Sequence, residues 1–248
     1  MIISHRHRYI FIHCRKSAGS AVKVSLARNL GWRDFQLGVW ADAVDAGVTP
    51  NLRARLAMWQ PRQLGFVCRS LLAGEQMHAV MNRAIKRAWK RRTGLENFPA
   101  ADDVRRLFPH EWAHYHKFCI IRNPFDRVVS DYFYRTKKLS DPPSFAAFVD
   151  AMASGDDLGG RVKSEYSNWH MYTIDDHLAV DSVVRFENLQ TELQDTLDRM
   201  GVPWDGWLPL TKKGSKRPRA YRDLYGPQQI EQVRALCGRE IEMFGYEF

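Results

Sequence analysis

The sequence predicts an α/β fold, a central and mostly parallel sheet flanked by helices. Three observations predict it. Tyr9–Ile12 and Phe118–Ile121 are short apolar runs rich in β-branched and aromatic residues, which read as buried strands. Each runs into a polar turn and then into apolar residues at helical spacing, the order of strand and helix that builds an α/β layer. Ser182–Phe186 repeats the pattern, with Glu187-Asn188 opening a helix that carries Leu189, Leu193, Leu197 and Met200. The 248 residues fit a single domain over 1–248, with a mainly helical, variable insertion over about 34–98.

After the first strand comes His13-Cys14-Arg15-Lys16-Ser17-Ala18-Gly19-Ser20, small and polar apart from its basic pair. Val22, Leu26 and Leu30 follow at helical spacing until Gly31 supplies a stop. A strand, a small-residue loop and a helix start make an anion site, with Lys16 placed to reach over the ligand. The same residues also read as a plain βα turn with an exposed lysine. No GxxxxGK[ST] is present, so the loop is not a Walker A motif.

Leu52–Leu72 reads as helical with a break at Pro61, and Met77–Lys90 as a further helix. Arg83, Lys86, Arg87, Lys90, Arg91 and Arg92 concentrate positive charge there. A solvated helix face is the default reading, and a landing area for an anionic acceptor the sharper one. Trp59 and Trp89 are expected to pack in the core rather than to stack on a sugar. Ala101–His116 reads as a helical lead-in to the central strand.

The central strand stops at Arg122. Asn123 suits an N-cap and Pro124 a first helical position, while Phe125, Val128, Val129, Tyr132 and Phe133 make one apolar stripe. Arg122 thus stands at a strand's carboxyl end and Ser130 two turns into the following helix. The guanidinium suits a phosphate at the helix start, or a nearby acid such as Asp126, and the spacing admits both. Ser144 starts another helix with Phe145, Phe148, Val149 and Met152 on one side, and 154–160 is a loop. Lys212–Arg219 is a basic loop ahead of the last helix, which Pro227 opens.

Arg122-Asn123-Pro124-Phe125-Asp126-Arg127-Val128-Val129-Ser130 resembles the RNPxxRxxS element of sulfotransferases. That element holds the 3′-phosphate of 3′-phosphoadenosine 5′-phosphosulfate (PAPS), and the resemblance makes Arg122 and Ser130 its ligands. Lys16-Ser17-Ala18-Gly19-Ser20-Ala21 resembles the PKTGGTS-type 5′-phosphosulfate loop of the same family. Arg15 stands in for its usual proline, and Ala18 and Ala21 for a glycine and a serine. Val180–Leu189 resembles the family's vDxVxRFENL stretch, and Phe244–Phe248 its characteristic ending. The likeness is to carbohydrate sulfotransferases of the family 2 type, and it implies a P-loop nucleotide-binding fold.

The resemblance implies transfer of a sulfuryl group from PAPS to an acceptor hydroxyl or amine, releasing 3′-phosphoadenosine 5′-phosphate (PAP), with no metal. Lys16 would be catalytic, offsetting charge on the bridging oxygen. Ser17, Ser20 and the amides of Ala18, Gly19 and Ala21 would hold the 5′-phosphate, and Lys216 and Arg217 would close over the nucleotide. Relatives often carry a histidine shortly before the RNP element as general base, and Phe98 stands at that position. Glu96, His78 and His170 are alternative bases, and the base stays unassigned. The expected acceptor is a carbohydrate or other anionic glycan. A P-loop kinase-like phosphotransferase and a non-catalytic polyanion-binding protein are the rival readings.

Lys and Arg total 37 against 28 Asp and Glu, a formal charge of +9 that favours anionic partners. Nucleic acid is not expected among them. No apolar run approaches the roughly 20 residues a membrane span needs. Met1–Arg8 leads at once into a strand, so a cleaved signal is not expected. Cys14, Cys68, Cys119 and Cys237 show no metal or CxxC spacing, so free thiols and a cytoplasmic location are expected.

Overall fold

A computed structural model describes residues 1–160, 166–209 and 220–248. In chain order the strands and helices are β1 (Ile2–Ser4), β2 (Tyr9–Ile12), α1 (Gly19–Leu26), β3 (Phe35–Gln36), α2 (Trp40–Asp45), α3 (Leu52–Leu56), α4 (Pro61–Leu72) and α5 (Met77–Thr93). Then come α6 (Ala101–Leu107), α7 (Pro109–His114), β4 (His116–Ile121), α8 (Pro124–Thr136), α9 (Phe145–Ser154) and α10 (Trp169–Tyr172). The chain ends with β5 (Thr173–Ile174), β6 (His177–Leu178), β7 (Ser182–Arg185), α11 (Leu189–Arg199) and α12 (Pro227–Phe244). The chain divides into two compact units, Met1–Ile120 with Met171–Thr211, and Ile121–His170 with Lys212–Phe248.

The first unit carries a five-stranded sheet in the order β3-β1-β2-β4-β7. β2 and β4 are parallel, with Tyr9 opposite His116 and Ile12 opposite Cys119. β1 is antiparallel to both of its neighbours, so β2, β3 and β4 all point the same way. The sheet is therefore mixed through β1, an edge-proximal strand too short to show a period. Phe118 sits 5.0 Å from Phe11 and 5.7 Å from Tyr9, ring centre to ring centre, and all three are buried. The Asp181 N–H donates to the Lys117 carbonyl at 2.8 Å and so ties the approach to β7 against β4. β5 and β6 form a separate two-stranded hairpin.

The expected break at Pro61 is real. α3 passes through a 3-10 turn at Ala57–Trp59, and Pro61 then starts α4 as its first helical residue. The stretch before the central strand splits for the same reason: α6 stops at Leu107 and Pro109 opens α7. Trp89 is buried as expected, whereas Trp59 is 59% exposed and is not a core residue.

In the second unit α8, α9 and α12 share one apolar cluster, including Phe125, Val128, Val129, Phe145, Phe148 and Val233. Within it lies a buried ion pair. Arg127 donates from Nη1 and Nη2 to the two carboxylate oxygens of Glu240 at 2.7 and 2.5 Å. The same carboxylate accepts from the Ser167 hydroxyl and the Asn168 N–H. Removing one partner strands a buried charge, which costs about 3–5 kcal/mol. Glu240→Ala is therefore expected to lower unfolding stability by about that amount in a urea titration, and Arg127→Met with Glu240→Leu by much less. An unchanged midpoint for the single variant would contradict this account.

Candidate functional site

Residues 13–18 join β2 to α1, and the turn is tight enough to need left-handed backbone. Lys16 has φ 61° and Ala18 φ 56°, a conformation costing a non-glycine residue about 1–2 kcal/mol. Ala18 stands where the resembling loop has glycine, and it takes up the geometry that glycine adopts freely. Gly19 follows under a different constraint. A Cβ there would lie 2.1 Å from His13 Cδ2, so the imidazole presses on the first residue of α1. The Val22 N–H bonds the Ala18 carbonyl at 3.2 Å, and the amides preceding it are those a helix leaves unpaired within itself.

Lys16, Ser20 and Ala21 are half-buried along this loop. Ser17 is fully buried, and its hydroxyl donates to the Arg15 carbonyl at 3.3 Å. It braces the loop from within. β2 and β4 are adjacent and parallel, so this loop leaves the sheet at the end where both strands have their carboxyl termini. Ligands of open α/β sheets bind at the carboxyl ends of strands.

Phe98 lies beside the loop. Its ring is 5.0 Å from that of His13, edge to face, and the Arg15 guanidinium carbon is 6.0 Å from its centre. His13 also stacks on Phe11 and is buried, so it packs the loop from below. The sequence reading did not single out His13. Its place at the foot of the loop, four residues past the start of β2, was the available signal. Of the alternative bases, Glu96 pairs with Lys90 at 2.5 Å and His78 with Asp45 at 3.2 Å. His170 stands in α10 of the other unit.

In the second unit Arg122 is buried and reaches Asp126, Nε to Oδ2 at 2.6 Å. The acid considered as its partner is thus in contact, held in the first turn of α8 where the helix dipole favours a carboxylate. The Asn123 side chain caps α8 by accepting from the Phe125 N–H at 3.0 Å, as its identity predicted. Its amide donates to the Glu247 carbonyl at 2.9 Å, which fastens the end of the chain to this turn. Ser130 is half-buried, six residues beyond Pro124 and so about 9 Å along the helix axis.

The loop residues Lys16 to Ala21 therefore come together in one unit, and Arg122 and Ser130 on one turn and helix of the other. Lys212, Lys216 and Arg217 lie outside the described residues. Among the described residues no group of three His, Cys, Asp or Glu side chains is placed to hold a metal. No described helix is long and apolar enough to cross a membrane.

A lysine-bearing loop between strand and helix, set in a five-stranded α/β sheet, defines a protein of the P-loop type. The chain belongs to the sulfotransferase family, whose model matches residues 1–247. Comparison with curated proteins and with solved structures gave no match.

The two glycine-type positions predict opposite effects. Ala18→Gly relieves a left-handed alanine and is expected to raise the melting temperature or leave it level. Gly19→Ala forces His13 or the start of α1 to move, and is expected to destabilise the chain by about 1–3 kcal/mol. Thermal melts of the two variants check the signs, and a stabilising Gly19→Ala would refute the packing described.

Proposed function

We propose that this chain transfers a sulfuryl group from PAPS to a hydroxyl or amine of an acceptor, a carbohydrate or glycoconjugate, and releases PAP. The observation that carries the reading is the 13–18 loop, with Lys16 and Ala18 in left-handed backbone, in a chain matched to the sulfotransferase family over residues 1–247. When bound, PAPS supplies the sulfuryl group and the leaving phosphate.

Lys16 neutralises charge that grows on the bridging oxygen as the bond to the 5′-phosphate breaks. Ser20 and the backbone amides of Ala18, Gly19 and Ala21 hold the 5′-phosphate at the start of α1, where the helix dipole favours an anion. Ser17 contributes by fixing the loop's shape through the Arg15 carbonyl. Arg122 and Ser130 hold the 3′-phosphate, with Asp126 orienting the guanidinium. Lys216 and Arg217 supply further positive charge to the nucleotide, as the resemblance implies. These groups act by position and charge, the terms that dominate related phosphoryl transfer.

Titration with PAP and with ATP tests the donor. PAP is expected to bind more tightly, and a preference for ATP with phosphate transfer would turn the reading into that of a kinase. Lys16→Ala is expected to cut turnover of labelled PAPS roughly 100-fold or more, the usual loss of an oxyanion-stabilising group. Arg122→Ala should weaken PAP roughly 10- to 100-fold while sparing adenosine 5′-phosphosulfate, which lacks the 3′-phosphate. Labelling of a source-cell extract with PAPS identifies the acceptor.

A further inference from the structure

Along β3, at the edge of the sheet, the first unit encloses a cavity of about 420 Å³. None of the residues from His13 to Ala21 lines it. Its walls come from segments far apart in sequence. Arg53, Arg62, Arg91 and Arg92 line it together with Gln36 and Trp89. The volume falls in the range of small-molecule sites, which combine an apolar wall with a few placed polar groups.

The apolar wall is aromatic. Trp89 stacks between Phe35 at 5.6 Å and Phe108 at 6.3 Å, and the Arg53 guanidinium carbon lies 4.9 Å from the centre of the Phe35 ring. Among the described residues no acid forms an ion pair with these four arginines; Arg53 and Arg91 donate instead to the Arg33 and Arg62 carbonyls at 2.9 and 3.3 Å. Asp34 also lines the cavity, but its carboxylate accepts from the Ser4 hydroxyl and from the N–H groups of His5, Arg6 and Gly31. Burial, and then the charge of Arg92, hold the Arg53 guanidinium below its ordinary pKa; Asp34 and Glu111 act the other way without cancelling this. Like charges gathered beside a cavity gain from an anion placed among them. Gln36 adds a different demand. It is 1% exposed, and its side-chain oxygen receives no hydrogen bond among the described residues, so it suits a hydroxyl donor.

A second cavity of about 430 Å³ shares Arg53, Ala57 and Gln60 with the first and opens beside Trp32. Trp32 is 67% exposed, with the Arg33 guanidinium carbon 5.5 Å from the ring centre. An indole face left open beside cations offers a platform for a flat, partly apolar ring. The two adjoining cavities thus provide guanidinium groups, a buried acceptor for a hydroxyl and aromatic faces.

We infer that these adjoining cavities bind an acidic saccharide, an oligomer of carboxylated or sulfated sugar units, and anchor the acceptor away from the 13–18 loop. The anchoring role rests on the proposed sulfotransferase reading, whereas the binding itself does not.

The experiment measures binding of sulfated maltohexaose and of an oligogalacturonate hexamer, with maltohexaose as neutral control, to the whole chain. The same titrations are run on Arg62→Glu with Arg92→Glu and on Trp32→Ala, and PAP is titrated in parallel. Arg62, Arg92 and Trp32 are exposed, so the variants are expected to fold, and a thermal melt verifies this. At least one acidic hexamer should bind, roughly 100-fold more weakly in the double arginine variant and more weakly in Trp32→Ala, with PAP affinity unchanged. Failure of both acidic hexamers, equal binding of the neutral one, or full retention by the arginine variant would overturn the inference. A single-stranded RNA that displaces the hexamer and is equally sensitive to the arginine variant would overturn the saccharide assignment. Saccharide binding without PAP binding would instead sink the sulfotransferase reading and leave the cavity's ligand standing.

Discussion

The parallel pairing of β2 with β4 is the constraint on which the first unit depends. It joins Tyr9–Ile12 to His116–Cys119 across roughly a hundred residues of intervening chain. Such a contact forms only after a long loop is closed, and the aromatic cluster of Tyr9, Phe11 and Phe118 offsets that entropy by burying large apolar faces. Because the two strands are parallel neighbours, they run toward the same end of the sheet, with Ile12 opposite Cys119 and β4 continuing two residues further. The loop ahead of α1 starts from that end. A shift of one residue would turn Phe11 and Phe118 out of register and move the loop with them.

The loop itself is held from two sides. Left-handed backbone at Lys16 and Ala18 is unfavourable in isolation, and it persists because the surroundings fix it. His13 fills the space beneath Gly19, and Ser17 bonds the Arg15 carbonyl. Lys16 is thereby carried on a loop braced by His13 and Ser17. The proposed charge stabilisation would draw on that bracing, since a donor that must reorganise loses most of its advantage.

Much of this frame was legible in the residues. β2, β4, the Asn123 cap and the Pro124 start were readable because β-branched runs and helix caps are local signals. β1 and β3 were not, being three and two residues long, too short to show a period. The basic run 83–92 read as a solvated face, and its residues have several fates. Arg83 pairs with Glu75, Arg87 lies over Phe66 at 4.4 Å, and Arg91 and Arg92 line the β3 cavity with Arg53 and Arg62. That cavity is assembled from segments around 34–40, 51–62 and 85–108, which no window of sequence brings together. Trp59 is exposed for a related reason: the 3-10 turn before Pro61 rotates it off the stripe that a continuous helix would bury.

The element Arg122–Ser130 shows how a family motif divides its duties. Asn123 caps α8 and tethers Glu247, Pro124 supplies the first helical residue, and Phe125, Val128 and Val129 lie in the core. Arg127, the second arginine of the motif, is committed to Glu240 inside the fold. Of the remaining positions, Arg122 and Ser130 are those the proposal assigns to the 3′-phosphate, and Asp126 contacts the Arg122 guanidinium. Most of the motif's specificity is therefore demanded by packing, and it would persist in a chain that had lost its ligand. In the proposed reaction the chemistry falls to few positions, Lys16, Arg122 and Ser130, so substitution at these tests the proposal far more sharply than the length of the match does.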